Sequence, residues 1–190
     1  MSPKDRDCEK HAGKVKSEKY MISIPKSASE KEIFETVEQF IKNKGFSIID
    51  KDDKRPWGGF LVIDEDQSEQ FITTFFPTLS VDDFKGFEKL SPKILLVAPN
   101  KRLSWQYHHR RAEIWRVIGG SAGVIASETD EQKPVHELST GESISLKQGE
   151  RHRLVGLDEW GVLAEIWKHT DPENPSDEED IVRVQDDFGR

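Results

Sequence analysis

The chain has 190 residues, enough for one domain with an added arm and a sizeable core, and is as rich in charged residues (34%) as in apolar ones (34%). A formal net charge of −8 argues against a general nucleic-acid binder, no apolar run reaches the length of a membrane span, and the first thirty residues lack an apolar signal-peptide core. The single cysteine, Cys8, excludes an internal disulfide framework and a cysteine-based metal cluster, and together these features fit a cytoplasmic protein with neither nucleic acid nor membrane as partner.

Residues 1–26 are lysine-rich and aperiodic, which predicts a loose arm. Ser27 or Ser29 then opens a helix, since each is followed three residues later by a glutamate, the capping-box spacing. Ile33, Phe34, Val37, Phe40 and Ile41 fall on one face of that helix, and Gly45 ends it. Residues 1–50 therefore read as an arm with one amphipathic helix, and residues 51–190 as the main domain. Short apolar runs recur in that domain at Trp57–Ile63, Phe71–Phe76, Ile94–Ala98, Ala112–Ile118, Gly123–Ala126, Ser143–Leu146, His152–Val155 and Gly161–Trp167. Turn-forming stretches such as "APNKR", "IGGSAG" and "STGES" separate them, and many short strands with frequent turns predict an all-β sandwich or small barrel. "GGSAG" fits no phosphate-loop spacing and reads as a hairpin turn. After an acidic loop from Asp171, Ile181, Val184 and Phe188 recur at helix-like spacing, which predicts a segment that docks back on the barrel, anchored by Phe188.

Charge is unevenly placed. Residues 101–120 hold five basic side chains (Lys101, Arg102, Arg110, Arg111, Arg116) against Glu113 alone, a cluster suited to a small anion. The same stretch contains "LSWQYHHRRAEIW" at Leu103–Trp115. Adjacent histidines on a strand face opposite ways, so His108 and His109 do not share an ion, whereas Gln106 and His108 share a face. Glu113 can return to that face on the next strand, and His152 supplies a second imidazole from a separate one. Gln106, His108, Glu113 and His152 together suit one borderline divalent ion, zinc foremost, with manganese, iron, cobalt or nickel as alternatives, and leave positions open for water or substrate. His136 and His169 carry no pattern and read as surface residues; Trp115 and Trp167 read as core.

These spacings resemble the two cupin motifs, G-x5-H-x-H-x4-E-x6-G and G-x5-P-x-G-x2-H-x3-N. Here the first runs Asn100, Gln106, His108, Glu113, Gly120, and the second Gly141, Lys147, Gly149, His152, Gly156, with every interval kept. Asn100 for Gly is mild because Asn tolerates the left-handed turn; Gln106 for the first His alters the metal shell itself. Gln-x-His in place of His-x-His is similar to the phosphomannose isomerases. "RPWGGF" at Arg55–Phe60 and "EEDIVRVQDDFGR" at Glu178–Arg190 resemble the opening and closing of the cupin domain of the type II enzymes, and Leu103–Trp115 resembles their "LSLQMHHHRAEHW". The resemblance covers about residues 54–190; the nucleotidyltransferase domain that often precedes this domain has no counterpart, so GDP-mannose synthesis is not expected.

The resemblance implies a mainly β, cupin-type double-stranded β-helix (a jelly-roll barrel) with an N-terminal helical arm. It assigns His108 as ligand, with Gln106 as its partner and His109 as bystander. It implies a metal-dependent aldose–ketose isomerase acting on a small-molecule sugar phosphate, mannose 6-phosphate or a related hexose or heptose phosphate. A non-isomerase metal cupin (oxygenase, epimerase or lyase) and a non-catalytic sugar-binding cupin stay open as alternatives. For the proton transfer Glu165 is the candidate base, with a salt bridge to an arginine as its plain alternative. For the phosphate the candidates are Arg55, Arg111, Arg151 and Arg190, since guanidinium forks match phosphate oxygens. Arg190 is further expected to point toward the metal cleft and steady the reacting sugar. Cupins commonly dimerise, so a homodimer is an expected assembly.

Overall fold

The computed structural model describes residues 20–87 and 89–189. The expectations for residues 1–19, with Cys8, and for Arg190 lie outside the described residues.

Two antiparallel sheets form the barrel, with strands numbered in chain order. The first runs β1 (Ile48–Arg55), β2 (Gly58–Ile63), β3 (Lys93–Val97), β10 (Gly161–His169), β5 (Arg111–Gly119), β8 (Ser143–Leu146). The second runs β11 (Val182–Gln185), β4 (Trp105–Tyr107), β9 (Arg151–Gly156), β6 (Ser121–Ser127), β7 (His136–Ser139). This is the mainly β, two-sheet jelly roll expected of a cupin.

Alternation along each strand sorts side chains to two cores. Leu95 and Val97 of β3, Trp115 and Val117 of β5, Leu154 of β9 and Leu163 of β10 fill the barrel interior with Val124 and Leu138. Their neighbours Ile94, Leu96, Ile118, Val162, Ala164 and Ile166 point the other way, onto two helices. The central strands β3 and β10 of the six-stranded sheet are thus buried on both faces, which is why "KILLV" and "GVLAEIW" lack the clean polar alternation of a half-exposed strand.

Helix α1 spans Glu30–Asn43. Of the two candidate caps Ser29 is the one used: its hydroxyl accepts from Glu32 N–H while the Glu32 carboxylate accepts from Ser29 N–H. Ile33, Phe34, Val37 and Ile41 are buried in the same core as Leu61, Ile63 and Trp160, so α1 seals the outer face of the sheet. Just before it, Ile22 donates its N–H to Ile118 O at 2.8 Å and is buried.

Three expectations need correction. Phe71–Phe76 is not a strand; helix α2 covers Ser68–Phe75 and buries Phe71, Ile72 and Phe75 on one face. Those positions are spaced by one and three, compatible with either period in so short a run, and an adjacent apolar face decided it. "GGSAG" is not a hairpin turn, because β5 and β6 belong to different sheets. Gly120, at φ 65°, carries the chain round the corner between them, where an added Cβ would sit 2.0 Å from Trp160 O. The tail docks back on the barrel as expected, but as a strand rather than at helical period. β11 pairs with β4, while Val184 and Phe188 are 39% and 37% exposed. The tail is held by that ladder and by Asp187, which accepts from Arg102 Nε at 2.5 Å, not by a buried Phe188. Among the described residues no helix is long and apolar enough to cross a membrane.

Candidate metal centre

The interior of the barrel turns polar at one end. Gln106 on β4 lies directly opposite His152 on β9, His108 follows the end of β4, and Glu113 enters from β5. Period two aims Gln106, Glu113 and His152 inward, and all four side chains are buried. His108 Nε2 lies 3.1 Å from Glu113 Oε1, and His152 Nε2 lies 3.3 Å from Glu113 Oε2. The four expected ligands therefore meet. His109, by contrast, is exposed and packs edge-on against Tyr107.

Hydrogen bonds on the far side of each imidazole fix its tautomer. His108 Nδ1 donates to Asp180 O at 2.7 Å, and His152 Nδ1 donates to Glu150 O at 2.9 Å. Each Nε2 is then a lone pair unless the ring is charged. Arg111 directs an N–H at His108 Nε2 from 3.2 Å. Two lone pairs facing a carboxylate repel, and Glu113 Oε2 and His152 Nε2 are both buried without a hydrogen-bond partner. A cation between them removes the conflict. The donor atoms of His108, Glu113 and His152 lie within 4.8 Å of one another, so this triad could hold a metal ion. Gln106 presents Nε2 to His108 at 3.5 Å and accepts from Ser104 Oγ through Oε1; a half-turn of the amide would bring the oxygen to the cluster.

The two buried carboxyls differ. Burial opposes ionisation of Glu113, but His108 in its charged form and Arg111 outweigh it and hold the carboxyl well below its usual range. Glu165 on β10 is pushed up to about 7 by burial and by the charge of Glu113, against the pull of Lys93, Arg111 and the Trp115 indole N–H, which donates to it at 2.9 Å.

Arg111 is 4% exposed and heavily engaged: Nε donates to Glu113 at 2.8 Å, one terminal nitrogen donates to Ser176 Oγ and Asp177 O, and the guanidinium lies 3.6 Å over the Trp167 ring. It lines the cleft chiefly as the residue that orients Glu113. Arg55 also lines the cleft, with Nε 2.7 Å from Asp52. Arg151 does not reach it; the side chain stacks on Tyr107 and pairs with Asp130 at 2.7 Å, on the outward side of β9. Lys93 and Arg183, which sequence reasoning passed over, line the cleft. The inward phase of Leu95 and Val97 on β3 was the available signal for Lys93. His169 is not a surface residue: it is 1% exposed, accepts from Ser176 N–H at 2.8 Å, and is held to a pKa of about 4 by burial and nearby Lys89, Arg111 and Arg110.

The acidic loop before β11 also builds the site. Asp180 accepts from the N–H groups of His109 and Arg110 at 3.1 and 2.9 Å and from Ser176 Oγ, while its own carbonyl accepts from His108 Nδ1–H. Nothing in "DEED" marks Asp180 apart from its neighbours, so this role was not legible.

Three comparisons bear on identity. The chain is 32% identical over 136 residues to the xanthan biosynthesis protein XanB of Xanthomonas campestris pv. campestris, covering 72% of this chain and 23% of that protein. It is 33% identical over 114 residues to the mannose-1-phosphate guanylyltransferase ManC of Salmonella typhimurium, covering 57% and 21%. The chain thus spans less than a quarter of the length of these curated relatives. Among solved structures, oxalate decarboxylase from Lactobacillus farciminis aligns with a TM-score of 0.47 at 14% identity, over 71% of this chain and 33% of that one. The family described as mannose-6-phosphate isomerase C-terminal matches residues 64–186, which takes in β3 to β11 and every residue of the metal cluster, and the chain belongs to that family.

Proposed function

We propose that the protein is a metal-dependent sugar-phosphate isomerase that interconverts mannose 6-phosphate and fructose 6-phosphate or a close analogue. The observation that carries this reading is one cleft lined both by Glu113, the carboxylate of a three-residue cluster that could hold a metal, and by a separate buried carboxyl, Glu165, whose pKa is raised to about 7. Aldose–ketose isomerisation needs both functions: charge stabilisation at two neighbouring sugar oxygens, and a base that carries a proton between C1 and C2.

His108, Glu113 and His152, with Gln106 after its amide turns, would hold a divalent ion, zinc by preference for this nitrogen and oxygen donor set. Bound there, such an ion supplies Lewis-acid polarisation of the sugar oxygens. Arg111 keeps Glu113 ionised and oriented through its 2.8 Å hydrogen bond. Glu165 takes the proton from one carbon and returns it to the other, and the Trp115 indole N–H holds its carboxylate in place. Leu95, Leu103 and Trp115 keep the floor of the cleft dry, which strengthens each of these electrostatic contacts.

Metal analysis of the purified protein, followed by a coupled assay for fructose 6-phosphate, tests the reading. About one divalent ion per chain is expected, retained by His109→Ala and lost by His108→Ala and His152→Ala together with turnover. Metal-loaded protein that forms no fructose 6-phosphate from mannose 6-phosphate ends it.

A further inference from the structure

Lys93 is buried, with its side chain 8% exposed, yet it ends in a charge. Its ammonium lies 4.1 Å over the Trp167 ring and 5.4 Å from the Phe60 ring. Its carboxylate partner is Glu178, a residue of the acidic loop whose own side chain is 71% exposed. The two partners contrast sharply. A buried ammonium needs an anion beside it, whereas an exposed carboxylate gives up such a contact at little cost.

Position adds to this. The cleft with the metal cluster opens into a second, wider groove floored by Ile49, Phe60 and Val62. Arg55, Phe60, Lys93, Trp167, Glu178 and Arg183 border both, so the Lys93–Glu178 contact sits at the doorway between them. Lys93 pairs directly with Glu165 across the β3–β10 ladder. Of the other cations, Arg111 is engaged with Glu113, Ser176 and Asp177, Arg55 lies 2.7 Å from Asp52, Arg151 pairs with Asp130 outside the cleft, and Arg183, which borders both spaces, is exposed on β11 rather than buried like Lys93.

We propose that Lys93 is the anion seat of this site, that it recognises the phosphate monoester of the sugar, and that the Glu178 carboxylate is a stand-in which the phosphate displaces. This deepens the sugar-phosphate reading and rests on it. Displacement moves the exposed Glu178 side chain out of the doorway while Ser176, Asp177 and Asp180 keep the loop in place, so charge exchange at Lys93 admits the substrate. Specificity follows from the same exchange. A neutral sugar cannot replace Glu178, so it enters against a closed doorway.

Isothermal titration of inorganic phosphate onto the full chain tests this, with the protein both metal-loaded and stripped. Stripping removes any phosphate that binds the ion itself. Saturable binding is expected in the stripped chain. Lys93→Met keeps an apolar chain between the two rings and should weaken binding about tenfold or more, the scale of a charge-assisted contact. Glu178→Gln should tighten it about twofold to fivefold, the scale of an exposed ion pair. No binding by the unmutated chain, unchanged binding in Lys93→Met, or no tightening in Glu178→Gln overturns the proposal. If Lys93→Met does not fold, the Glu178→Gln titration decides alone. The two readings separate cleanly: this binding pattern without any fructose 6-phosphate formation keeps the seat and removes the isomerase, whereas isomerisation with binding indifferent to Lys93 does the reverse.

Discussion

Glu113 and Glu165 are two buried carboxyls in one cleft whose surroundings drive them to opposite charge states. Glu113 is kept ionised by Arg111 and by His108 in its charged form, and Glu165 is pushed toward its neutral form by burial and by Glu113 itself. Such a divided pair suits one carboxylate that holds a cation and one that moves a proton. Glu165→Gln should therefore lower kcat by about 10²–10⁴-fold while metal content stays unchanged. In the unmutated enzyme, kcat/KM should fall as pH drops through the Glu165 pKa, because the base is then protonated. Stability carries the same signature with a defined sign. The folded metal-free chain holds the Glu165 proton up to about pH 7, while the unfolded chain releases it near 4.5, so stability falls as pH rises through that window. Urea unfolding should find Glu165→Gln more stable than the parent at pH 8 and lacking that advantage at pH 5; parallel pH profiles would place the raised pKa elsewhere. At this scale the sequence was legible where spacing carried the information. Asn100 adopts φ 57°, the left-handed turn that its place in the motif required. Period two separated His108 from His109. Arg111 and Arg151 were legible as cations but not in their directions, since direction depends on which strand face meets the cleft.

The loop and strand that close the chain show how an element outside the barrel core can set the geometry inside it. β11 adds to β4, the strand that carries Gln106, and the preceding loop reaches His108, His109, Arg110 and Arg111 through Asp180, Ser176 and Asp177. Asp180→Ala removes the carboxylate that accepts from two successive backbone N–H groups beside His108. It should weaken metal binding about 10–100-fold, as loss of the groups that orient a ligand does, read by competition with a chromophoric chelator. Equal affinity would show that β4 alone positions His108. The tail and α2 were misread for related reasons. Ile181, Val184 and Phe188 have helical spacing, but the edge of β4 takes up the backbone as a strand and leaves Val184 and Phe188 partly exposed. "FITTFF" has the residues of a strand, yet α2 forms because Phe71, Ile72 and Phe75 cover Phe46 and the outer face of the sheet. Short apolar runs do not declare their period, and tertiary neighbours choose it.

At the scale of the whole molecule, the cluster ties the two sheets together. Gln106 and His152 belong to the five-stranded sheet and Glu113 to the six-stranded one, so an ion held by all three exists only when both sheets are folded and packed. Binding to the folded state alone stabilises by mass action, about 2.7 kcal/mol at a free metal concentration one hundred times Kd. For a chain of this size each kcal/mol moves the melting temperature by about 2–4 °C, so metal should raise Tm by about 5–10 °C over a chelator-treated sample. The outer core, where α1 and α2 cover the six-stranded sheet, lies apart from the cluster, whereas the barrel interior touches it through Trp115, whose ring packs on His152. The variants sort the contributions. His152→Ala should abolish the metal-dependent rise while leaving the outer core intact. Phe34→Ala should lower Tm with and without metal alike, by the cost of about 3–5 kcal/mol for emptying a large buried aromatic site. Thermal melts of the two variants, each with zinc and with chelator, therefore form a two-by-two comparison. A metal-dependent rise that survives in His152→Ala would locate the ion outside this cluster.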